Sequence, residues 1–197
     1  MSYLDEMEQY ARANKIPVIL PDTREYLENL CREIQPKRIL EIGMAIGYSA
    51  SCMLSSCDAT IVECEASLPN IELAKINFEI LGLTDRVTII EGDCMLTLPN
   101  ITEQFDLIFL DGPKGRYPEI LPLLLPRLKR RGVLVCDNVL FRGMVLDGEP
   151  LQYPRFERTV IALRQFIDML KNNRELDTEL LRIGDGLTVS RYKQKEK

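Results

Sequence analysis

The sequence predicts an α/β fold, a mostly parallel β-sheet with helices on both faces and mixed strand directions at one edge. Two observations carry this. Short apolar runs with strand character alternate with helical stretches between about residue 38 and residue 137, and that alternation builds a parallel sheet covered on both sides. Two further strand-like runs then flank Gly184-Asp185-Gly186, a hairpin signal that adds antiparallel pairing.

The elements follow in order. Leu4, Met7 and Tyr10-Ala11 recur at helical spacing, as do Tyr26-Leu27, Leu30-Cys31 and Ile34. Asp22, with Glu25 three residues on, is placed to cap the second of these helices, and Pro36 ends it. Arg38-Ile39-Leu40-Glu41-Ile42 reads as a buried first strand and Ala59-Thr60-Ile61-Val62-Glu63 as a second. Residues 68–81 form a helix closed by Gly82. Residues 86–91, 106–111 and 132–137 are the third, fourth and fifth strands, with a leucine-rich helical stretch at 117–128 between the last two. Residues 139–154 carry Gly143, Gly148, Pro150 and Pro154 and read as a loop. Residues 155–171 are helical, and 176–183 and 186–192 complete the strands. No linker or internal repeat divides the chain, so residues 1–197 are expected to form one domain.

Composition narrows the function classes. A chain of this length buries about 70% of its unfolded surface, enough for one substantial core. With 46% apolar and 28% charged residues it has ordinary globular usage, which argues against disorder or a fibre. The net charge of −5 supplies no global attraction for nucleic acid or an anionic membrane. There is no histidine, which excludes a His-based triad, a His-ligated zinc and a His general base. Residues 1–8 are acidic where a signal peptide is basic, and no apolar run reaches about 18 residues. A cytoplasmic protein with no membrane partner is expected. Cys31, Cys52, Cys57, Cys64, Cys94 and Cys136 form no Cys-x-x-Cys pair and read as reduced core residues.

Acids recur where the strands end: Glu41, Glu63, Asp111, and Asp137 followed by Asn138. Ligands of open α/β sheets bind beyond the carboxyl ends of the strands, so four acids on that edge point to a site. Residues 41–49, Glu-Ile-Gly-Met-Ala-Ile-Gly-Tyr-Ser, form the first strand-to-helix turn, where Gly43 and Gly47 permit close backbone approach. The turn is neither a P-loop nor Gly-x-Gly-x-x-Gly. Glu41 repels phosphate but suits an ammonium or sulfonium cation, and the N–H groups opening the next helix suit a carboxylate. S-adenosylmethionine carries all three charges. Glu63, 20 residues after Gly43, is placed to accept hydrogen bonds from a ribose. Asp93 either faces the adenine side or closes an Asx-turn with Gly92.

Asp111-Gly112-Pro113-Lys114 and Asp137-Asn138 form a second constellation. If strands four and five are neighbours, about 4.8 Å apart, two carboxylates and an amide oxygen converge. Hard oxygen donors without His or thiolate suit Mg²⁺, Mn²⁺ or Ca²⁺ over zinc. Asp137-Asn138 also reads as a turn cap, and Lys114 as a surface charge after a turn.

These segments resemble the cation-dependent S-adenosylmethionine O-methyltransferases, a family that includes catechol and caffeoyl-coenzyme A O-methyltransferases and bacterial enzymes that methylate 5-hydroxyuridine in tRNA. The resemblance runs from about residue 17 to the end. It rests on residues 41–49, on Asp111 and Lys114, on residues 137–143 (Asp-Asn-Val-Leu-Phe-Arg-Gly), and on Gly184-Asp185-Gly186-Leu187. It implies a Rossmann-like class I methyltransferase with seven strands in the order 3-2-1-4-5-7-6, strand seven antiparallel. The helices of residues 1–35 are expected over the acceptor side. The implied cofactors are S-adenosylmethionine and Mg²⁺ (or Mn²⁺ or Ca²⁺). Lys114 would be the catalytic base, and Asp111, Asp137 and Asn138 the metal ligands. Glu41, Gly43, Gly47, Ser49, Glu63, Asp93 and Asp111 would surround the cofactor. A homodimer is implied as well.

The expected activity is methyl transfer to a hydroxyl of a small catechol-like acceptor with adjacent oxygens, the alternative acceptor being the 5-hydroxyuridine of a tRNA. The chain has no Trp, so the tryptophan that walls the catechol pocket of the animal enzymes is missing, with Pro113 near its place. Arg142, beside Asn138, is expected to contact a substrate anion. Arg116 adjoins Lys114, and the cluster Arg127, Lys129, Arg130 and Arg131 reads as a solvated helix end or, with a tRNA acceptor, as basic surface for RNA. Two other classes compete. A nicotinamide-dependent Rossmann oxidoreductase is opposed by the absent glycine fingerprint. A non-catalytic cofactor-binding module is opposed by Asp111, Lys114, Asp137 and Asn138 standing together.

Overall fold

A computed structural model describes residues 2–146 and 153–194. Gly148 and Pro150 of the expected loop, Met1 and the last three residues lie outside the described residues. Two amphipathic helices come first, α1 (Tyr3–Ala13) and α2 (Pro21–Ile34). Then come β1 (Arg38–Ile42), α3 (Tyr48–Ser55), β2 (Thr60–Glu65), α4 (Leu68–Ile80), β3 (Val87–Glu91), α5 (Cys94–Thr97) and β4 (Phe105–Leu110). α6 (Tyr117–Leu124), β5 (Leu128–Cys136), α7 (Glu157–Lys171), β6 (Leu176–Leu181) and β7 (Leu187–Tyr192) complete the chain. The seven strands form one sheet in the order β3-β2-β1-β4-β5-β7-β6. β1 through β5 pair in parallel, and β7 runs antiparallel between β5 and β6.

Side-chain alternation along the strands sorts the core into two layers. Leu40, Ile42, Val62, Ile108, Leu110 and Leu134 face α5, α6 and α7, where Tyr117, Leu121, Leu163 and Phe166 are buried. Ile39, Ile61, Leu107, Phe109, Val133 and Val135 face the other way, against Met7, Leu27, Leu30, Met53 and Phe78 from α1 to α4. Burial on both faces is why these strands read as unbroken apolar runs. None of the six cysteines is in a disulfide, and all but the half-buried Cys57 are buried. Among the described residues no helix is long and apolar enough to cross a membrane.

The larger differences from the sequence reading fall at three boundaries. α2 begins at Pro21, with Leu20 as its N-cap and no side-chain cap. Asp22 therefore lies inside the first turn, because the fixed φ of proline favours the first helical position. The 117–128 helix stops at Leu124, in a segment with Pro122 inside the helix and Pro126 just after it. β5 consequently starts at Leu128, and Lys129, Arg130 and Arg131 belong to a strand and not to a helix end. Lys129 pairs with Asp106 at 2.9 Å, and Arg130 lies 4.8 Å from the Tyr192 ring centroid. This basic cluster sits at the amino end of β5, away from the carboxyl edge where the acids gather.

Candidate active site

A cleft of about 880 Å³ opens along the carboxyl ends of β1 to β5. It is centred where the chain order reverses between β1 and β4, the usual ligand position in open α/β sheets. The size is within the range of small-molecule sites. Pro17, Val18 and Leu20, between α1 and α2, wall one side, and the Gly184-Asp185 hairpin walls another.

The cofactor-side residues divide into two groups. Gly43, Asp93 and Asp111 line the cleft. Gly43 has φ +99°, and a Cβ there would sit 2.4 Å from the Asp111 carbonyl oxygen, so the β1 turn and the β4 end touch only because the residue is glycine. Glu41, Gly47, Ser49 and Glu63 lie behind the wall. Glu41 and Glu63 are both 0% exposed. Ser49 donates its hydroxyl to Glu41. A Cβ at Gly47 would meet the Phe78 ring at 2.4 Å, so this glycine serves packing against α4. The expectation that Glu63 faces a ribose is therefore corrected: the acid of β2 that lines the cleft is Glu65. Glu65 Oε2 accepts the Ala45 N–H at 2.9 Å, and Oε1 accepts those of Ala66 and Ser67 at 2.9 and 2.8 Å. β2 continues two residues past Glu63, to Glu65, before α4 begins at Leu68.

Asp93 lines the cleft and is held by two hydrogen bonds. It caps α5 through Oδ1 on the Met95 N–H at 2.8 Å, and its Oδ2 accepts from Arg116 at 2.9 Å. The ion pair links the loops after β3 and β4 at the cleft rim. Arg116 lines the cleft too.

Around the end of β4, Lys114 Nζ lies 3.0 Å from Asp111 Oδ1, and both line the cleft with Asn138 and Arg142. Burial raises the Asp111 carboxyl while Lys114 lowers it. Asp137 is 1% exposed and lies under the wall. Its Oδ1 accepts the Asn138 N–H at 2.6 Å, whereas Oδ2 is buried with no partner. Burial, and then the Asp111 charge, push the Asp137 carboxyl up to about 7. An orphaned buried carboxylate oxygen repelled by a second carboxylate is a donor set short of a cation. With Asn138 adding an amide, these residues fit a hard divalent ion such as Mg²⁺, Mn²⁺ or Ca²⁺. Among the described residues no three His, Cys, Asp or Glu side chains gather around one point.

Two supports went unnoticed in the sequence. Tyr117, fully buried, shares its hydroxyl between the carbonyls of Leu110 and Asp137, 3.1 Å from each, and so ties together the ends of β4 and β5. Tyr117→Phe is expected to lower stability by about 1–2 kcal/mol, read as a lower urea midpoint at unchanged slope. Asp185 accepts the Arg142 N–H at 2.5 Å and the Leu140 N–H on its carbonyl at 3.0 Å. These bonds hold a loop in which Asn138, Phe141 and Arg142 all have left-handed φ. Non-glycine residues keep such conformations only where their surroundings enforce them.

Residues 2–193 match the family model described as O-methyltransferase. A catechol O-methyltransferase of Niastella koreensis is 33% identical over 172 residues, covering 84% of this chain and 75% of that protein. Caffeoyl-CoA O-methyltransferase 1 of Eucalyptus globulus is 27% identical over 180 residues, covering 86% and 72%. Among solved structures, the SAH-bound methyltransferase PaMTH1 of Podospora anserina superposes with a TM-score of 0.85 at 31% identity, covering 98% of this chain and 89% of that one.

Proposed function

This chain belongs to the O-methyltransferase family, and on that premise we propose that it transfers a methyl group from S-adenosylmethionine to one of two adjacent oxygens of a small catechol-like acceptor, with a divalent cation held by Asp111, Asp137 and Asn138. The observation that carries this reading is the meeting of Glu65, Asp111, Lys114 and Asn138 on one cleft. The PaMTH1 structure, bound to the demethylated cofactor, supports the donor. Family membership removes the nicotinamide oxidoreductase and the non-catalytic module.

Each residue has a part that its geometry suits. Gly43 lets the cofactor approach the backbone between β1 and β4. Glu65, held in place by three N–H groups, accepts hydrogen bonds from the ribose hydroxyls. Asp93, already committed to Met95 and Arg116, acts as wall. A divalent cation at the Asp111–Asp137–Asn138 site would supply the positive charge that acidifies a nearby acceptor hydroxyl. Lys114 Nζ, open to the cleft and 3.0 Å from Asp111 Oδ1, is the side chain placed to take up that proton. The ends of β4 and β5, tied by Tyr117, fix acceptor side against donor side, and this alignment accounts for much of the expected rate. Pro17, Val18, Leu20 and Pro113 offer an apolar wall for a flat ring, and Arg142 at the rim meets an anionic substituent. The tRNA alternative loses the support of the basic cluster, since Arg127 precedes β5 and Lys129, Arg130 and Arg131 lie at its amino end. Among the described residues it keeps Lys114, Arg116 and Arg142 on the cleft.

Calorimetry tests the cofactor assignment. S-adenosylhomocysteine is expected to bind the wild-type protein, and Glu65→Ala to weaken binding by about 1.5–3 kcal/mol through lost charge-assisted hydrogen bonds. Equal affinity in wild type and variant, or comparable binding of NAD, would contradict it.

A further inference from the structure

Two carboxyl groups lie face to face behind the Gly43–Gly47 loop. Glu41 on β1 and Glu63 on β2 occupy partnered positions of adjacent parallel strands, so both side chains leave the same face of the sheet. Both are fully buried. Ser49 donates to Glu41 Oε1, while Glu41 Oε2 and both oxygens of Glu63 have no donor. The groups acting on the pair from neighbouring elements are Glu65 and Cys64 on β2, Cys52 on α3 and Asp111 beyond β4. All are acids or thiols. Two adjacent buried carboxylates without a cation cannot both stay ionised. A single proton between them turns the repulsion into a charge-assisted hydrogen bond. Glu41 has the Ser49 hydroxyl to stabilise its anion, and Glu63 has no such donor, so the proton belongs on Glu63.

We propose that Glu41 and Glu63 share one proton, with Glu63 the neutral donor that positions Glu41 as a buried anion behind the loop, toward the cationic groups of the cofactor. Burial raises both carboxyls, Glu41 to about 8, and the bonds from Ser49 and Glu63 lower Glu41 alone. The positioning half rests on the cofactor reading above; the shared proton does not.

The test has two arms. In the first, the folded chain holds a proton that the unfolded chain loses above its ordinary value of 4.5, so stability falls as pH rises through that window. Glu63→Gln is expected to flatten the fall, melting like wild type at pH 4 and higher than wild type at pH 8. It should also remove one protonated-carboxyl band from the infrared spectrum at pH 7. In the second arm, S-adenosylhomocysteine binding is measured by calorimetry. Glu63→Gln, whose amide still donates to Glu41, is expected to keep affinity within about threefold, and Glu63→Leu to lose at least about tenfold. An unchanged pH slope with no lost band would overturn the shared proton. Wild-type affinity in Glu63→Leu would overturn the positioning role. No binding to the wild-type protein would overturn the cofactor reading and the positioning role together, leaving the first arm to decide the proton.

Discussion

Lys114→Met is expected to lower kcat by about 10²–10⁴-fold, the usual range for loss of a general base, while S-adenosylhomocysteine affinity stays within about twofold. The reason is local. Lys114 opens the turn after β4, three residues beyond Asp111, and its amine stands 3.0 Å from Asp111 Oδ1 on the cleft wall. Its hydrogen bond is to Asp111, and it makes none to Gly43, Glu65 or Asp93. An interaction used only while the hydroxyl loses its proton lowers kcat and kcat/KM together. Lys114→Arg separates charge from proton acceptance, because a guanidinium keeps the charge and cannot act as the base. Both variants are expected to be slow. If Lys114→Arg retained wild-type kcat and pH profile, the side chain would be acting as a counter-charge only.

Asp137→Asn should have the second-largest effect and should separate stability from activity. Turnover with Mg²⁺ is expected to fall by about 10²-fold or more as a ligand is lost. In chelator at pH 8, the same variant is expected to be more stable than wild type by about 1–3 kcal/mol. The sign follows from the raised carboxyl. Its cost is absent below the ordinary value of 3.8 and grows as pH rises to about 7, above which the wild type holds an uncompensated buried charge beside Asp111. At pH 4 the two proteins should therefore melt alike. Added Mg²⁺ should raise the melting temperature of the wild type through linkage and leave the variant nearly unmoved. Equal Mg²⁺ stabilisation of both would place the cation elsewhere.

Strand and helix order was legible because burial on both faces leaves apolar runs that few other environments produce. The position of β7 between β5 and β6 came from family resemblance, since periodicity carries no information on strand neighbours. Errors fell where a local signal met a tertiary constraint. Asp22 looked like a cap, but Pro21 starts α2 first. The basic residues 129–131 looked like a helix end, but proline ends the helix, and β5 runs through them between Leu128, paired with Phe105, and Val133, paired with Leu107 and Arg191. In the site, Asp111, Lys114, Asn138, Gly43 and Arg142 could be chosen because motif and strand end coincide. The sequence reading ends the second strand at Glu63, whereas β2 continues to Glu65, an acid two residues on and on the same face. Only the length of β2 decides which one clears the sheet edge. Tyr117 gave no signal, because a buried tyrosine in a leucine-rich helix looks like core until its hydroxyl is seen bridging two strand ends.

The most direct measurement is transfer of labelled methyl from S-adenosylmethionine to a panel of catechol-like diols and to total tRNA, with Mg²⁺ and with excess chelator. The account predicts label on one oxygen of a diol, lost in chelator and restored by Mg²⁺, and no label on tRNA. Full transfer in excess chelator, or label on tRNA alone, would contradict it.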